Sequence, residues 1–171
     1  MNNFFGKLAE NAQASDSVLL KIVENADEDM QLSILDRSTL DADVQEQLAK
    51  SDSWQVKSKL ATRSDLEIVA QLILAEDEEE DVQQALAKNQ KLSVEALLSL
   101  AKYAEEEAQL FILDRDTLDT DVQEQLADSE WWKVRAKLAE RTDLNAEVQL
   151  ILAEDEDEDV RNTLLNNILK K

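Results

Sequence analysis

Two runs of carboxylates are the residues of this sequence that could most readily do chemistry. Six acidic residues follow one another in EDEEED at 76–81, and six more in EDEDED at 154–159. Such clusters could bind a divalent cation, exchange protons, or attract a basic partner. The chain contains no His and no Cys, and it has neither a Gly-rich phosphate loop nor a nucleophile elbow. We therefore predict a protein that is not an enzyme and needs no cofactor.

Calcium is a poor match for the two acidic runs. An EF-hand loop spaces its ligands and needs a glycine at its sixth position. The one glycine of the chain, Gly6, is far from either run. The sequence therefore predicts no dedicated metal site and at most weak binding of divalent cations.

The net charge of −21 restricts the kind of partner. Nucleic acids and anionic membranes are repelled by such a surface, and no apolar stretch approaches the roughly 18 residues of a membrane span. We predict a basic protein partner, no direct binding to nucleic acid or membrane, and a cytoplasmic location, because the N-terminus lacks a signal-peptide pattern. The alternative is a DNA-mimic or immunity-type inhibitor that occupies the basic groove of a nucleic-acid-binding protein. A structural protein that self-associates is a third reading.

The elements that carry the acidic runs are predicted to be short helices in a repeat. The chain has no Pro, and its apolar residues recur every 26 positions. The segments LDADVQEQLAKSDSWQVKSKLATRSD, from Leu40, and LDTDVQEQLADSEWWKVRAKLAERTD, from Leu118, are identical at 17 of 26 positions. We predict an all-α solenoid that forms a single domain over 1–171. Its parts are an N-terminal cap at 1–13 and repeats at 14–39, 40–65, 66–91, 92–117, 118–143 and 144–171.

Each repeat contains two clusters of apolar columns. Val44 and Leu48, four residues apart, belong to the stripe of a first helix, and Val56 and Leu60 to that of a second. Helices of about nine residues are unstable alone, so the repeats must stack. The apolar residues predicted to cap the two ends of the stack are Phe4, Phe5, Ile168 and Leu169.

The segment WWKVRAKLAERTDLNAEVQLILAEDEDEDVRNTLLNN, at 131–167, resembles the leucine-rich repeat variant family. That family repeats a motif of the type D-x-x-W-x-V-R-x-x-(V/L)-A-x-N-P-x-(L)-x-x-x-(V/L)-L-x-x-L-A-x-D. The matching residues are Trp132, Val134, Arg135, Leu138, Ala139, Leu144, Leu152, Ala153 and Asp155, and one block earlier Trp54, Val56, Leu60, Ala61, Leu66, Leu74, Ala75 and Asp77. The resemblance covers the second to sixth repeats and implies a right-handed, HEAT-like superhelix without one common activity.

Three features depart from the family pattern. The period is 26 rather than about 24 residues, and the turn proline is missing. Some members carry a cysteine-ligated iron–sulfur cluster beside the repeats, which this Cys-free chain cannot hold.

The acidic runs have two interpretations. Carboxylates at a helix N-terminus and cations at its C-terminus are stabilised by about 0.3–1 kcal/mol each, and Ser51 and Asp77 are predicted N-caps. Six acids in succession exceed what one helix start needs, and stacked repeats bring the runs within about a Debye length. A contact surface is the second interpretation. The residues predicted to bind the partner are Glu78, Glu79, Glu80, Asp81, Glu156, Asp157, Glu158, Asp159, Trp54, Trp131 and Trp132.

Three tryptophans lie beside acidic turns. Trp54 and Trp132 occupy the Trp position of the family and are predicted to pack on the neighbouring repeat. Trp131 replaces Ser53 of the sister repeat and is predicted to be the exposed anchor of an interface.

A polar column follows the second helix of each repeat. It contains Arg37, Arg63, Asn89, Arg115, Arg141 and Asn167. The asparagines suit a left-handed helix end. The arginines are predicted to pair with Asp36, Asp65, Asp114 and Asp143, or alternatively to hold the carboxylates of a partner.

Overall fold

The computed structural model describes residues 15–170, and within that part of the chain helix is the only regular structure. The cap predicted at 1–13, with Phe4 and Phe5, lies outside the described residues. The chain divides into two compact units, with described residues 15–92 in unit 1 and 93–170 in unit 2. The helices of unit 1 are α1 (Asp16–Val23), α2 (Glu28–Ile34), α3 (Ala42–Ala49), α4 (Trp54–Ala61), α5 (Ile68–Ala75) and α6 (Glu80–Ala87). Those of unit 2 are α7 (Val94–Tyr103), α8 (Glu106–Ile112), α9 (Thr120–Ala127), α10 (Trp132–Ala139), α11 (Ala146–Ala153) and α12 (Glu158–Leu169).

Side-chain caps define where many of these helices begin. Ser53 accepts a hydrogen bond from the Val56 N–H at the start of α4, and Asn145 accepts one from the Val148 N–H at the start of α11. Aspartates do the same at α2, α3, α9 and α12. These caps satisfy amides that would otherwise have no partner, and they fix the first turn of helices too short to be stable alone.

Helices in each unit pack in two layers. In unit 1, α1, α3 and α5 lie side by side, as do α2, α4 and α6, and the two helices of each repeat pack across the layers. Unit 2 repeats the arrangement, with α7, α9 and α11 in one layer and α8, α10 and α12 in the other. This packing of neighbouring helices is consistent with a helical repeat array. The single domain, the number of repeats and the handedness stay predictions.

The predicted apolar columns form the core. The first-helix column is buried at Ile22, Leu48, Leu74, Leu100, Leu126 and Leu152, and the second-helix column at Ile34, Leu60, Leu86, Ile112, Leu138 and Leu164. The predicted cap residues Ile168 and Leu169 differ: both are exposed on the last turn of α12, so their assignment as a buried end cap is wrong. Along residues 15–170, no helix combines the length and apolarity needed to cross a membrane.

Candidate functional site

A column of linking pairs joins the second helix of one repeat to the turn of the next repeat. Ser51 Oγ donates to Gln31 Oε1 at 2.6 Å, and Lys57 Nζ lies 2.6 Å from Asp77 Oδ2. In unit 2, Ser129 Oγ donates to Gln109 Oε1 at 2.6 Å, and Arg135 Nε donates to Asp155 Oδ2 at 2.6 Å. Each pair spans 20 residues, so the same position carries an uncharged link in one repeat and an ion pair in the next.

These links correct the predicted N-caps. Ser51 and Asp77 precede the true caps, Ser53 and Glu79, by two residues. Their side chains contact the preceding repeat through the linking column instead of capping α4 and α6. Part of the acidic run at 76–81 is therefore structural, because Asp77 is paired in the interior.

The pair of Arg135 and Asp155 is the most deeply buried ion pair of the described residues. The side chains are only 9% and 4% exposed, and a second bond joins Arg135 Nη2 to Asp155 Oδ1 at 3.1 Å. Arg135 Nη1 also donates to the Ser129 carbonyl at 2.7 Å. Burial acts to raise the pKa of Asp155, but hydrogen bonds from Arg135 and from the Asp157 N–H outweigh it and lower that pKa. The same hydrogen bond raises the pKa of Arg135.

The polar column after the second helix also joins successive repeats. Arg63 Nη1 donates to the carbonyls of Leu35 and Arg37 at 2.8 Å each, and Arg141 Nη1 donates to those of Leu113 and Arg115 at 2.9 and 2.7 Å. These carbonyls belong to the helix end of the preceding repeat. The column is thus a set of side-chain caps that act across the repeat boundary.

Asparagine makes the same contacts in two repeats. Asn89 Nδ2 donates to the carbonyls of Ala61 and Arg63, and Asn167 Nδ2 to those of Ala139 and Arg141, all at 2.7–2.9 Å. The predicted left-handed conformation of these asparagines is wrong, since the described residues include no positive φ. Their side chains, not their backbone, end the helix of the repeat before.

Two of the four aspartates predicted to pair with the arginines of this column form ion pairs with them. Arg63 pairs with Asp65 and Arg141 with Asp143, at 2.7 and 2.6 Å. Asp36 and Asp114 instead contact Lys59 Nζ and Lys137 Nζ at 2.5 Å, because those lysines reach back from the following repeat. Arg115 is buried, and burial lowers its pKa although Asp114 acts in the opposite direction.

Sequence reasoning missed a third connection, made by glutamines of the first helices. Gln45 Nε2 donates to the carbonyls of Leu40 and Asp65 at 2.9 Å each, and Gln45 Oε1 accepts from the Glu67 N–H. Gln123 makes the equivalent bonds in unit 2. The signal was a Gln at 45, 71, 123 and 149, which recurs with the repeat period beside a buried apolar column. A polar residue so placed must be satisfied by hydrogen bonds.

After these pairings, a set of carboxylates remains in the turns between α5 and α6 and between α11 and α12 and in the first turns of α6 and α12; all are exposed except Asp157, which is half-buried and caps α12. We call this set the acidic edge. It consists of Glu76, Glu78, Glu79, Glu80 and Asp81 in unit 1, and of Glu154, Glu156, Asp157, Glu158 and Asp159 in unit 2. Glu80, Asp81, Glu158 and Asp159 lie in the first turns of α6 and α12, the position that the helix-start interpretation predicts. Among the described residues, none of Glu78, Glu79, Glu80 and Asp81 forms an ion pair.

The tryptophans are arranged in the opposite way to the prediction. Trp54 and Trp132 are 43% and 44% exposed, whereas Trp131 is more buried than either. Trp54 and Trp132 are the first residues of α4 and α10, two positions before the fully buried Val56 and Val134. Residues two positions apart in an α-helix differ by about 200° around its axis. The rings of Trp54 and Trp132 therefore point away from the buried side of their helices. Trp131 is the N-cap of α10 in extended backbone.

Basic residues that follow each exposed tryptophan contact carboxylates of the neighbouring repeats. Lys57, one turn after Trp54, contacts Asp77 at the start of the next acidic run. Lys133, beside Trp132, contacts Glu106 at 2.8 Å, and Arg135, one turn on, holds Asp155. Each unit therefore contains a half-exposed indole at the start of a second helix that packs against the second helix following an acidic run. Within residues 15–170, no three acidic side chains converge on a geometry that could hold a metal ion.

We expect the stability of the protein to fall in acid below about pH 4. Burial acts to raise the pKa of Asp65 and of Asp155, but Arg63 and Arg135 lower them, and Arg141 lowers the pKa of Asp143. The folded-state pKa of all three carboxyl groups therefore lies below the ordinary value of 3.8. Groups with a depressed pKa stabilise the fold fully above the unfolded-state value, and that stabilisation is lost as the pH falls through the folded-state value. Urea midpoints measured by circular dichroism at a series of pH values test this.

The control is the variant Arg135→Gln/Asp155→Ser, which carries the uncharged pair of the preceding repeat. The stability of this variant should fall less steeply below about pH 4, since it contains one carboxylate with a lowered pKa fewer than the natural chain. An acid dependence as steep as that of the natural chain would contradict the assignment of Asp155.

Comparison with known proteins finds no match: no protein-family model, no curated protein and no solved structure matches the chain. Its function must be argued from the site geometry.

Proposed function

We propose that this protein is a non-enzymatic helical repeat protein that binds a basic protein surface along its acidic edge. The observation that carries the proposal is that each unit exposes a tryptophan on a second helix that packs against the second helix following an acidic run, and that Glu78–Asp81 form no ion pair among the described residues. Trp54 with Glu78–Asp81, and Trp132 with Glu156–Asp159, are the contact residues. Trp131, being less exposed, has a supporting place in the contact.

The chemistry of this arrangement suits lysine and arginine side chains. An indole face attracts a cation by about 0.5–1 kcal/mol at an exposed site, and more when water is excluded. Carboxylates around the ring supply the complementary charge for the remainder of a basic segment. Asp77, Asp143 and Asp155 already form ion pairs within the protein. The residues of the acidic edge are therefore the ones available to contact a partner.

The scaffold is proposed to be a right-handed solenoid of six two-helix repeats, of the leucine-rich repeat variant type, in the cytoplasm. The two-layer packing and the residue pairs spaced by 20, 26 and 28 positions support a repeating stack. The exposed carboxylates also support weak, unspecific association of divalent cations.

The proposal predicts binding of a lysine-rich peptide that depends on both charge and indole. In isothermal titration at about 0.1 M salt, Glu78→Gln/Glu79→Gln/Glu80→Gln/Asp81→Asn should weaken binding roughly tenfold, because four unpaired carboxylates are lost. The double variant Trp54→Ala/Trp132→Ala should weaken it by about 3–10-fold through the lost cation–π contact.

The matched control removes the same charge elsewhere. Asp41→Asn/Asp43→Asn/Asp119→Asn/Asp121→Asn neutralises four exposed carboxylates at the starts of α3 and α9, and asparagine keeps the caps. It should change binding little. Equal weakening by the control would contradict a site at the acidic edge.

The same titration distinguishes the DNA-mimic alternative from the proposed contact. A mimic acts through charge alone, so its affinity should fall steeply with salt and stay unchanged in Trp54→Ala/Trp132→Ala. Loss of binding in the tryptophan variant, with binding partly retained at about 0.5 M salt, supports the proposed contact instead.

A further inference from the structure

Helix α5 of unit 1 is apolar on its outer side as well as on its core side. The residues that it buries are Ala70, Gln71, Leu74 and Ala75. The residues on the opposite side are Ile68, Val69, Leu72 and Ile73, which we call the outer face of α5. Ile68 is 54% and Val69 is 50% exposed, and the other two are half-buried. A helix that is apolar all round is normally covered on every side.

The packing of the repeats does not require apolar residues at these four positions. Helices α3 and α9 hold the same place in their repeats and pack side by side with the first helices next to them. Their residues at the equivalent positions are mostly polar: Ala42, Asp43, Glu46 and Gln47 in α3, and Thr120, Asp121, Glu124 and Gln125 in α9. Because helix packing tolerates polar groups on this side, the outer face of α5 indicates a contact with another molecule.

Carboxylates border the outer face of α5. Glu67 precedes the face and Glu76 follows it, both are exposed, and α5 itself has no basic residue. Gln45 Oε1 accepts from the Glu67 N–H at 2.9 Å, which places the start of α5 beside α3 and its exposed Asp43. An acidic border repels an anionic membrane and also a second copy of a chain with a net charge of −21. It favours a partner whose apolar residues are flanked by cations.

We propose that the outer face of α5 binds an amphipathic helix of a partner protein, in which lysine or arginine borders the apolar stripe. The face extends about 8 Å along α5 from Ile68 to Ile73, a length that apolar residues at positions i and i+4 of a partner helix can match. The surrounding carboxylates contact the flanking cations. This inference goes beyond the proposed function and is independent of it, because it uses neither exposed tryptophan nor Glu78–Asp81.

Isothermal titration with two synthetic peptides of one leucine and lysine composition tests the proposal. The first peptide forms an amphipathic helix, and the second has a scrambled order without an apolar face. At about 0.1 M salt, the natural chain should bind the amphipathic peptide at least about tenfold more tightly than the scrambled one. The variant Ile68→Gln/Val69→Gln should bind both peptides about equally, because it loses the apolar contact and keeps the helix and the net charge.

The matched control is Leu165→Gln/Ile168→Gln on α12, where the two side chains are 54% and 46% exposed. This variant should keep the preference for the amphipathic peptide. Trp54→Ala/Trp132→Ala should keep it too, so failure of the contact at the acidic edge leaves this result unchanged.

Four outcomes would overturn the proposal. The natural chain could bind the two peptides equally, or the control on α12 could lose the preference as well. An amphipathic peptide with glutamate in place of lysine could bind as tightly, which would contradict the role of charge. Self-association of the natural chain that Ile68→Gln/Val69→Gln abolishes would assign the outer face of α5 to a second copy instead.

Discussion

The variant Asp155→Ala is expected to lower the free energy of unfolding of unit 2 by about 3 kcal/mol or more. The substitution removes the buried carboxylate partner of the Arg135 guanidinium, whose side chain is 9% exposed. Arg135 keeps its bond to the Ser129 carbonyl, but the bidentate contact with Asp155 is lost. Glu156, 3.7 Å away and exposed, is the nearest replacement and is poorly placed for one. Urea unfolding followed by circular dichroism and by tryptophan fluorescence measures the change.

The chain itself provides the control for this prediction. The preceding repeat fills the same two positions with Gln109 and Ser129, joined at 2.6 Å. Changing Arg135→Gln and Asp155→Ser together should therefore restore stability to within about 1 kcal/mol of the natural protein, since no buried charge is left unpaired. A double variant as unstable as Asp155→Ala would show that the ion pair supplies something the neutral link cannot.

The apolar half of the fold could be predicted from the sequence because its signal is local. Positions such as Val44 and Leu48 lie on one face of one helix, so spacing within nine residues identifies the helix and its buried side. The exposure of Trp54 follows from the same helical spacing once α4 is known to begin at that residue. The resemblance to a family motif instead suggested a packed ring.

The polar half could not be predicted in the same way because its partners are 20 to 28 residues apart. Gln45, Ser51 and Asp77 look like surface or cap residues when each is read beside its sequence neighbours. Their hydrogen bonds reach the repeat before or after, and only stacking brings those groups together. The acidic edge is what remains after such pairings, so its extent depends on contacts that the sequence does not display.

The second large effect is expected at Arg141. Arg141→Ala should cost unit 2 about 3 kcal/mol, because a side chain only 10% exposed makes charge-assisted bonds to Asp143 and caps two carbonyls of the preceding repeat. The loss also removes the group that holds the pKa of Asp143 low, so the variant should lose less stability than the natural chain on acidification. Urea midpoints at about pH 7 and pH 3 measure both effects.

Substitution of Arg141 by asparagine separates the contribution of the carbonyl contacts from that of the ion pair with Asp143. Asn89 and Asn167 occupy the same column and cap the equivalent pair of carbonyls, and neither is followed two residues later by Asp. Arg141→Asn should therefore recover about half of what Arg141→Ala loses, since the carbonyls are capped again while Asp143 stays unpaired. Arg141→Asn/Asp143→Lys copies Asn89 and Lys91 and should recover more. If Arg141→Asn is no more stable than Arg141→Ala, the carbonyls are satisfied by water, and the column stabilises the stack through the ion pair alone.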